Sequence, residues 1–258
     1  MSNVLIVGYG VVGHNLAQEI KVLEPDVYDI KYKSLDSRKE HYDFAFICVD
    51  TPYISKNDAC NLAQLKSAIE DNNADIFIIK STILPGTTLA LEAEFPNKNF
   101  VFSPEYYGGT QHCNNFEFNF TILGGHKDDC VKVQQLLQHC YDARHTFHIV
   151  DSTTAELVKY MENCWLATKV SFCNQFYTIA KDCLVDYETL RELFILDPRV
   201  NPSHTFVYED KPYWQSHCLD KDVRAIAYTH DAKFLNDLID FNDTMKCWQY
   251  QNKKDNKA

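Results

Sequence analysis

The first residues suited to chemistry are three glycines near the start of the chain, Gly8, Gly10 and Gly13. They follow a short apolar run, Val4–Val7, which is typical of a strand buried on both faces, and they precede a helical pattern over Asn15–Leu23. In this context the first glycine permits a tight turn, the second lets the backbone approach a pyrophosphate, and the third lets the helix pack on the strand. The sequence therefore predicts a dinucleotide site formed by Gly8, Tyr9, Gly10, Val11, Val12 and Gly13.

An acidic residue in the second predicted strand indicates which dinucleotide binds. Asp29 lies in the strand Val27–Ile30, about 20 residues after the glycine turn, where a carboxylate accepts the ribose hydroxyls of NAD. The same carboxylate repels the 2′-phosphate of NADP, so we favour NAD as the cofactor. Lys31 and Lys33 lie close enough to keep NADP open as an alternative.

The elements that must position these residues alternate between strand and helix. Further apolar strands are predicted at Phe44–Val49, Ile76–Ile79, Phe100–Phe102, Phe120–Leu123 and Thr146–Val150. Helical patterns over Asn61–Asp71 and Lys127–Cys140 separate some of them. This alternation predicts an α/β fold, a Rossmann-type doubly wound parallel sheet at about residues 1–150.

Ligands of such sheets bind beyond the carboxyl ends of the strands, and three segments lie there: residues 50–52, 81–88 and 103–107. Thr51 and Pro52 in the first segment are expected to contact the cofactor. Pro, Gly, Ser and Thr also form ordinary turns, so each segment taken singly is explained by turn formation alone.

A long helix predicted over Thr153–Asp182 organises the rest of the chain. It contains no Gly or Pro and is apolar on nearly every side, which predicts burial between two domains or two subunits. Lys159 and Asn163 are four residues apart and share one face, so they either serve a site or are hydrogen-bonded by neighbouring backbone. A helical domain at about residues 151–248 and a disordered tail at 249–258, rich in Lys and Asn, complete the predicted organisation.

Composition limits the classes of function. The chain has 258 residues, 45% hydrophobic content and a formal net charge of −11, which argues against nonspecific nucleic-acid binding. It begins directly with an apolar strand and has no apolar run long enough to span a membrane. Ten scattered cysteines without a C-x-x-C pair indicate reduced thiols, so we predict a cytoplasmic protein. The histidines and cysteines at 139–148 fit no zinc spacing, and no metal is predicted.

Eight short motifs occur in an order that resembles one enzyme family. They read GYGVVG, CVDTP, KSTILPGTT, FSPEYY, ILGG, AELVKYMENCWLATKVSFCNQ, DPRV and CLDKD. Together they resemble the UDP-glucose/GDP-mannose 6-dehydrogenase family along nearly the whole chain. The resemblance implies oxidation of the C6 hydroxymethyl of a nucleotide sugar to a carboxylate with two NAD⁺, by way of a cysteine thiohemiacetal and thioester. It also implies a homodimer built on the 153–182 helix, and the apolar character of that helix agrees independently.

The resemblance assigns the central chemical roles to four residues. Cys218 would be the nucleophile, and Asp222 would pair with the site's lysine and position water. Lys159 would stabilise the oxyanion and Asn163 would help to hold it. Nearby cations would lower the pKa of the Cys218 thiol, and a buried ammonium facing an alkoxide would supply electrostatic stabilisation.

Four further residues match positions that contact cofactor or substrate. Thr82 and Glu105 correspond to residues that contact the cofactor and assist proton transfer. Lys221 would lie near cofactor and substrate. Arg199 resembles an arginine that reaches the substrate of the neighbouring subunit.

The chain departs from the family's pattern in four places. Residues 215–217, Gln-Ser-His, stand where the family has two glycines before its cysteine, which predicts a narrower or reshaped sugar pocket. The family's second glutamate falls on Gly109, so one candidate acid or base is missing. The segment between Asp29 and the third strand is short, and we expect the family's C-terminal domain, which grips the uridine diphosphate, to be missing.

Three functions are compatible with these observations. The first is an active nucleotide-sugar dehydrogenase of minimal size. The second is a dehydrogenase of the hydroxyacid/6-phosphogluconate type, which also uses a helical Lys-x-x-x-Asn but needs no cysteine. The third is a nucleotide-binding or interaction protein that has lost catalysis, because fold and motif alone do not establish activity.

Overall fold

Seven short strands form one sheet in the computed structural model, which describes residues 2–32, 38–107 and 117–255. The strands are β1 Val4–Val7, β2 Asp26–Tyr28, β3 Tyr42–Ile47, β4 Ala74–Ile79, β5 Asn99–Phe102, β6 Phe120–Gly125 and β7 Thr146–Val150. Their spatial order is β2-β1-β3-β4-β5-β6-β7. Lys33 and Gly109, which the sequence interpretation named, lie outside the described residues.

Helices connect and follow these strands. They are α1 Val11–Glu19, α2 Ala63–Glu70, α3 Thr87–Glu94, α4 Lys127–Leu137, α5 Ser152–Asp182, α6 Tyr187–Phe194, α7 His217–Thr229 and α8 Lys233–Asp255, with a 3-10 turn at Lys21–Leu23. The first helix begins at Val11, earlier than the predicted Asn15, because Gly10 acts as its N-cap. No helix in the described part of the chain combines the length and apolarity needed to cross a bilayer.

Two apolar layers, one on each face of the sheet, confirm the predicted doubly wound fold. On one face Leu5, Ala45 and Phe77 pack with residues of α2 and α3. On the other face Ile6 and Phe46 pack with residues of α1 and α4. The central strands are near-continuous apolar runs because helices cover both of their faces.

One strand pair differs from the parallel arrangement of the rest of the sheet. β6 lies antiparallel to β5, with Val101 opposite Gly125 and Phe102 opposite Gly124, whereas the other neighbouring pairs are parallel. A parallel pair needs a crossover connection, usually a helix. The described parts of the β5–β6 connection, residues 103–107 and 117–119, contain no helix.

The chain forms two compact units. Among the described residues, the first unit comprises 2–32, 38–54, 60–107 and 117–159, and the second comprises 55–59 and 160–255. The division falls inside α5, after Lys159, whereas the sequence placed it at about residue 150. α8 continues to Asp255, beyond residue 248, where a disordered tail was predicted to begin. Gln, Lys and Asp residues are compatible with a continued helix.

The long helix is not buried on every side within one chain, and its expected burial between two subunits stays a prediction. An apolar stripe of α5 remains exposed, and Met161 is 75% exposed. We call the following set the α5 stripe: Leu157, Met161, Trp165, Phe172, Phe176 and Ile179. Because these residues recur at intervals of three, four and seven, they share one helical face.

A small cluster of titratable side chains joins α1 to the β6–β7 edge of the sheet. The Tyr141 hydroxyl donates to the carboxylate of Glu19, and the His145 ring stacks on Tyr141 with centroids 3.8 Å apart. The Nε2 atom of His145 lies 2.8 Å from the Thr121 hydroxyl. Burial lowers the pKa of His145, because desolvation disfavours the imidazolium.

This cluster predicts an acid-sensitive contribution to stability. The folded state binds a proton at His145 more weakly than the unfolded state does, so stability should fall as the pH drops below about 6.5. His145→Phe keeps the stacking on Tyr141 but cannot be protonated, so its urea midpoint should fall less between pH 7 and pH 5. His148→Phe, at an exposed histidine of β7, is the control and should behave as wild type. If the urea midpoint fell equally in wild type and in His145→Phe, the acid sensitivity could not be assigned to His145.

Candidate active site

The glycine turn after β1 can be built only with glycine at its first position. Gly8 has a φ of 93°, and its N–H donates to the carbonyl of Tyr28 at 2.8 Å. A Cβ at Gly8 would stand 2.6 Å from the carbonyl oxygen of Cys48. The turn therefore lies directly against the end of β3, where no side chain fits.

The other two glycines differ from each other in their surroundings. A Cβ at Gly13 would lie 1.8 Å from the carbonyl oxygen of Gly8, so α1 packs on the turn at backbone contact. A Cβ at Gly10 would meet nothing within 4 Å. Gly10 is the N-cap of α1 and offers no side-chain cap to the helix, which leaves N–H groups of the first turn for an anion. These features fit the pyrophosphate of a dinucleotide.

Asp29 lies against the same turn, as its spacing predicted. One of its carboxylate oxygens accepts from the backbone N–H of Tyr9 and the other from that of Lys31, each at 2.7 Å. A carboxylate oxygen has more than one lone pair, so each can also accept a ribose hydroxyl. Glycine turn and carboxylate together fit the adenosine half of NAD.

A hydrogen bond joins two of the predicted strand-end segments. The hydroxyl of Thr51, which follows β3, donates to the carbonyl of Thr82, which follows β4, at 2.6 Å. The same carbonyl lies 3.7 Å from the thiol of Cys60. Pro52 accepts from the N–H of Asn61 at 2.9 Å, which closes the loop between them. Thr51 thus fixes the two strand ends relative to each other.

A buried lysine–carboxylate pair lies where α5 passes the end of β5. Lys159 and Glu105 are both buried, and their Nζ and Oε1 atoms are 3.9 Å apart. The other oxygen of Glu105 accepts from the N–H of Tyr107 at 2.7 Å. The Lys159 ammonium also lies 5.1 Å from the ring centroid of Tyr106, within cation–π range. The structure therefore brings these two predicted catalytic residues together.

Sequence reasoning missed the residue that fixes α5 against this unit. Glu156 is fully buried, and its carboxylate accepts from the N–H of Gly86 at 2.5 Å and from the N–H and hydroxyl of Thr88 at 2.8 and 2.6 Å. It thereby caps the N-terminus of α3. Burial raises the pKa of Glu156, and the three hydrogen bonds oppose that shift.

The second unit holds another buried carboxylate with two donors. Asp222 of α7 accepts from the amide of Asn163 at 2.6 Å and from the ammonium of Lys221 at 2.5 Å. Asp222 is fully buried, and Asn163 nearly so. The amide of Asn163 is therefore bound by a side chain rather than by neighbouring backbone. The amine that pairs with Asp222 here is that of Lys221.

Cys218 is exposed in the first turn of α7. Ser216 is the N-cap of that helix, and its hydroxyl accepts from the N–H of Leu219 at 3.0 Å. A helix N-terminus favours a thiolate over a thiol. Cys218 and Asp222 are four residues apart on α7, so they share one face.

The residues that replace the family's glycines form the entry to α7. Ser216 supplies its cap, and Trp214 just before it is buried. The backbone N–H of Trp214 donates to the Asn242 amide at 2.9 Å, and its indole donates to Ser171 at 2.9 Å. Trp214 therefore packs in the second unit, and Ser216 caps α7.

Arg199 is exposed and pairs with Asp197 at 2.6 Å. Its role toward a neighbouring subunit stays a prediction.

Fold and glycine turn define an α/β protein with a dinucleotide-binding unit. A model of the NAD-binding domain of the UDP-glucose/GDP-mannose dehydrogenase family matches residues 29–144, and a model of that family's central domain matches residues 153–244. The chain belongs to this family, and its cofactor is NAD.

Relatives and solved structures agree with that membership. UDP-N-acetyl-D-mannosamine dehydrogenase of Methanococcus maripaludis is 25% identical over 93% of this chain and 61% of its own length. GDP-mannose 6-dehydrogenase of Pseudomonas syringae is 28% identical over 78% of this chain and 50% of its own length. The structure of a UDP-glucose dehydrogenase from Pyrobaculum islandicum has a TM-score of 0.75 at 21% identity, over 95% of this chain and 68% of that chain, which supports the fold. The chain thus spans at most 61% of these two curated relatives.

The second and third glycines of the turn, Gly10 and Gly13, give a paired prediction for cofactor binding. Gly13→Ala places a methyl group on the Gly8 carbonyl, so it should lower both the melting temperature and NAD affinity. Gly10→Ala causes no clash, so the fold should stay intact while NAD affinity falls about tenfold, or about 1.4 kcal/mol. Thermal melts without ligand and calorimetric titration with NAD measure the two effects. Unchanged NAD affinity in Gly10→Ala would show that the pyrophosphate does not approach this turn.

Proposed function

We propose that this protein is an NAD-dependent dehydrogenase that oxidises the C6 hydroxymethyl of a nucleotide sugar to a carboxylate. The observation that supports it best is the position of Cys218, exposed at the start of α7 and one helical turn before Asp222. Asp222 is in turn bonded to Asn163 and Lys221. A hydroxyacid-type dehydrogenase has no use for a cysteine at this position.

The chemistry consists of two oxidations and a hydrolysis. NAD⁺, when bound, supplies the hydride acceptor for both oxidations. The sugar alcohol loses a hydride and a proton to become an aldehyde, and the Cys218 thiol adds to its carbonyl carbon as a thiohemiacetal. Loss of a second hydride and proton gives a thioester, and water then releases the carboxylate and restores the thiol. The proposed compartment is the cytosol, where the thiol remains reduced.

The roles of the other residues follow from their contacts. Lys159 carries a buried ammonium that stabilises an alkoxide, and Glu105 beside it accepts protons. Asp222, fixed by two donors, orients the hydrolytic water. Thr82 lies where the carboxyl ends of β3 and β4 meet, and we assign it to cofactor contact. Arg199 is assigned to the substrate of a neighbouring subunit.

The substrate test uses NADH formation against a panel of UDP- and GDP-sugars and hydroxyacids. Wild type should form two NADH per nucleotide sugar. Cys218→Ser should form one NADH and accumulate aldehyde, because an oxygen nucleophile does not readily form and release the acyl intermediate. Cys247→Ser, at an exposed cysteine of α8, is the control and should retain wild-type stoichiometry.

Two results of this test would favour other functions. Undiminished NADH formation from a hydroxyacid by Cys218→Ser would favour the hydroxyacid/6-phosphogluconate type. An absence of NADH with every substrate, in protein that binds NAD, would favour a relative without catalysis. The family's second glutamate is replaced by Gly109, which is the observation behind that last candidate.

The proposal includes a homodimer formed through the α5 stripe. Contiguous exposed apolar faces of this kind usually mark an interface. The stripe extends onto α6, where the ring of Phe194 lies 6.3 Å from that of Phe172. A two-fold axis across such a stripe would cover the same residues in both copies.

Charge placed on the stripe should break this assembly. Trp165→Glu puts a carboxylate at an exposed position of the stripe and should give a monomer at micromolar concentration. Val22→Glu, at an equally exposed apolar residue of the first unit, should leave the dimer intact. Light scattering across a dilution series measures both. A wild-type protein that is monomeric at every concentration would overturn the dimer.

A further inference from the structure

One buried lysine beside the candidate site has no role assigned so far. Lys80 directly follows β4 and is buried. Its ammonium donates to the hydroxyl of Ser103 at 3.1 Å and to the carbonyl of Pro104 at 3.4 Å. Both acceptors are uncharged, so these bonds do not neutralise the buried charge.

The charge of Lys80 acts on groups of the candidate site. Burial lowers its pKa, and the charges of Glu19, Cys48 and Glu105 oppose that shift, whereas Lys159 adds to it. Lys80 also opposes the upward shift that burial gives to the pKa of Cys48. The groups that face this region thus come from α1, the ends of β3, β4 and β5, and α5.

Lys80, Glu105 and Lys159 are therefore buried in the same region, and the carboxylate of Glu19 also acts on Lys80. Lys159 lies 3.9 Å from Glu105, and Lys80 holds the two residues that immediately precede Glu105. The positive charge of Lys80 favours the ionised form of Glu105 and adds to the positive charge of Lys159, which stabilises a developing alkoxide.

We propose that Lys80 is a positioning residue of the proposed dehydrogenase. It holds the Ser103–Glu105 segment by two hydrogen bonds, and its positive charge favours the ionised form of Glu105. This role rests on the proposed function, because it concerns the carboxylate and the ammonium assigned there to proton transfer and oxyanion stabilisation.

The chain offers a matched control for the loss of a buried lysine. Lys98 lies at the amino ends of the strands, and its ammonium donates to the carbonyls of Ile69 at 2.5 Å and Asn72 at 3.1 Å. Burial lowers its pKa as it does that of Lys80. Lys98→Met therefore removes a partly buried ammonium bonded to neutral oxygens in the same unit, away from Glu105.

The direct test titrates Glu105 by NMR with ¹³C-labelled glutamate, assigned with Glu105→Gln. In Lys80→Met the titration midpoint of Glu105 should rise by about one pH unit, equivalent to a tenfold change in its proton affinity. Lys98→Met should leave that midpoint at the wild-type value. If Lys80→Met does not fold, Lys80→Gln takes its place. An unchanged midpoint in the Lys80 variant, or an equal rise in Lys98→Met, would overturn the proposal.

Turnover separates this proposal from the proposed function. If wild type forms NADH, Lys80→Met should lower kcat more than it raises KM. It should also move the acidic limb of the pH profile of kcat/KM to higher pH, together with the titration midpoint of Glu105. Lys80→Arg, which keeps the charge, should return that limb to its wild-type pH. If wild type forms no NADH, the proposed function fails, while the Glu105 titration still tests the action of Lys80. A kcat loss in Lys80→Met with an unmoved acidic limb would reduce Lys80 to a structural role.

Discussion

The carboxylate of Glu156 is the contact on which the first unit's site depends. It accepts three hydrogen bonds from Gly86 and Thr88, and so fastens the first turn of α5 to the N-terminus of α3. Because a helix is stiff over one turn, this anchor determines where Lys159 lies. The ammonium of Lys159 is therefore held near Glu105, with its Nζ atom 3.9 Å from Oε1. A buried carboxylate left without these donors would be costly, so the anchor has little freedom to shift.

In each compact unit a buried carboxylate lies beside a lysine. In the first unit Glu105 lies beside Lys159, and in the second Asp222 is held by Asn163 and Lys221. Such pairs are weak evidence for stability, because desolvation offsets much of their attraction. Buried charged pairs also occur at functional sites, and the proposed function assigns a role to each of these two pairs. It assigns the role of nucleophile to the exposed Cys218 of α7.

Local patterns explain what could be predicted from the sequence. The strands, the glycine turn and Asp29 depend on short runs, on the backbone freedom of glycine and on a fixed spacing, all of which are visible within about 30 residues. The antiparallel β5–β6 pair, the capping of α3 by Glu156 and the contacts of Lys80 are pairings between distant segments. No local pattern encodes them, because a buried Lys or Glu has the same sequence signature as an exposed one. The apolar character of α5 could be predicted, but the face that remains exposed could not, because the sequence of a helix does not show which of its faces other elements cover.

The central claim is that Cys218 is prepared to act as a nucleophile, and its alkylation rate tests this without knowledge of the substrate. Cys218 lies in the first turn of α7, whereas Cys183, also exposed, follows the carboxyl end of α5, where the helix dipole disfavours an anion. Brief treatment with iodoacetamide at pH 7, followed by peptide mapping, compares the two thiols in one sample. The account predicts that Cys218 is labelled at least several-fold faster than Cys183, and that Ser216→Ala, which removes the cap of α7, reduces the difference. Equal labelling of Cys218 and Cys183 in the folded protein would contradict the claim.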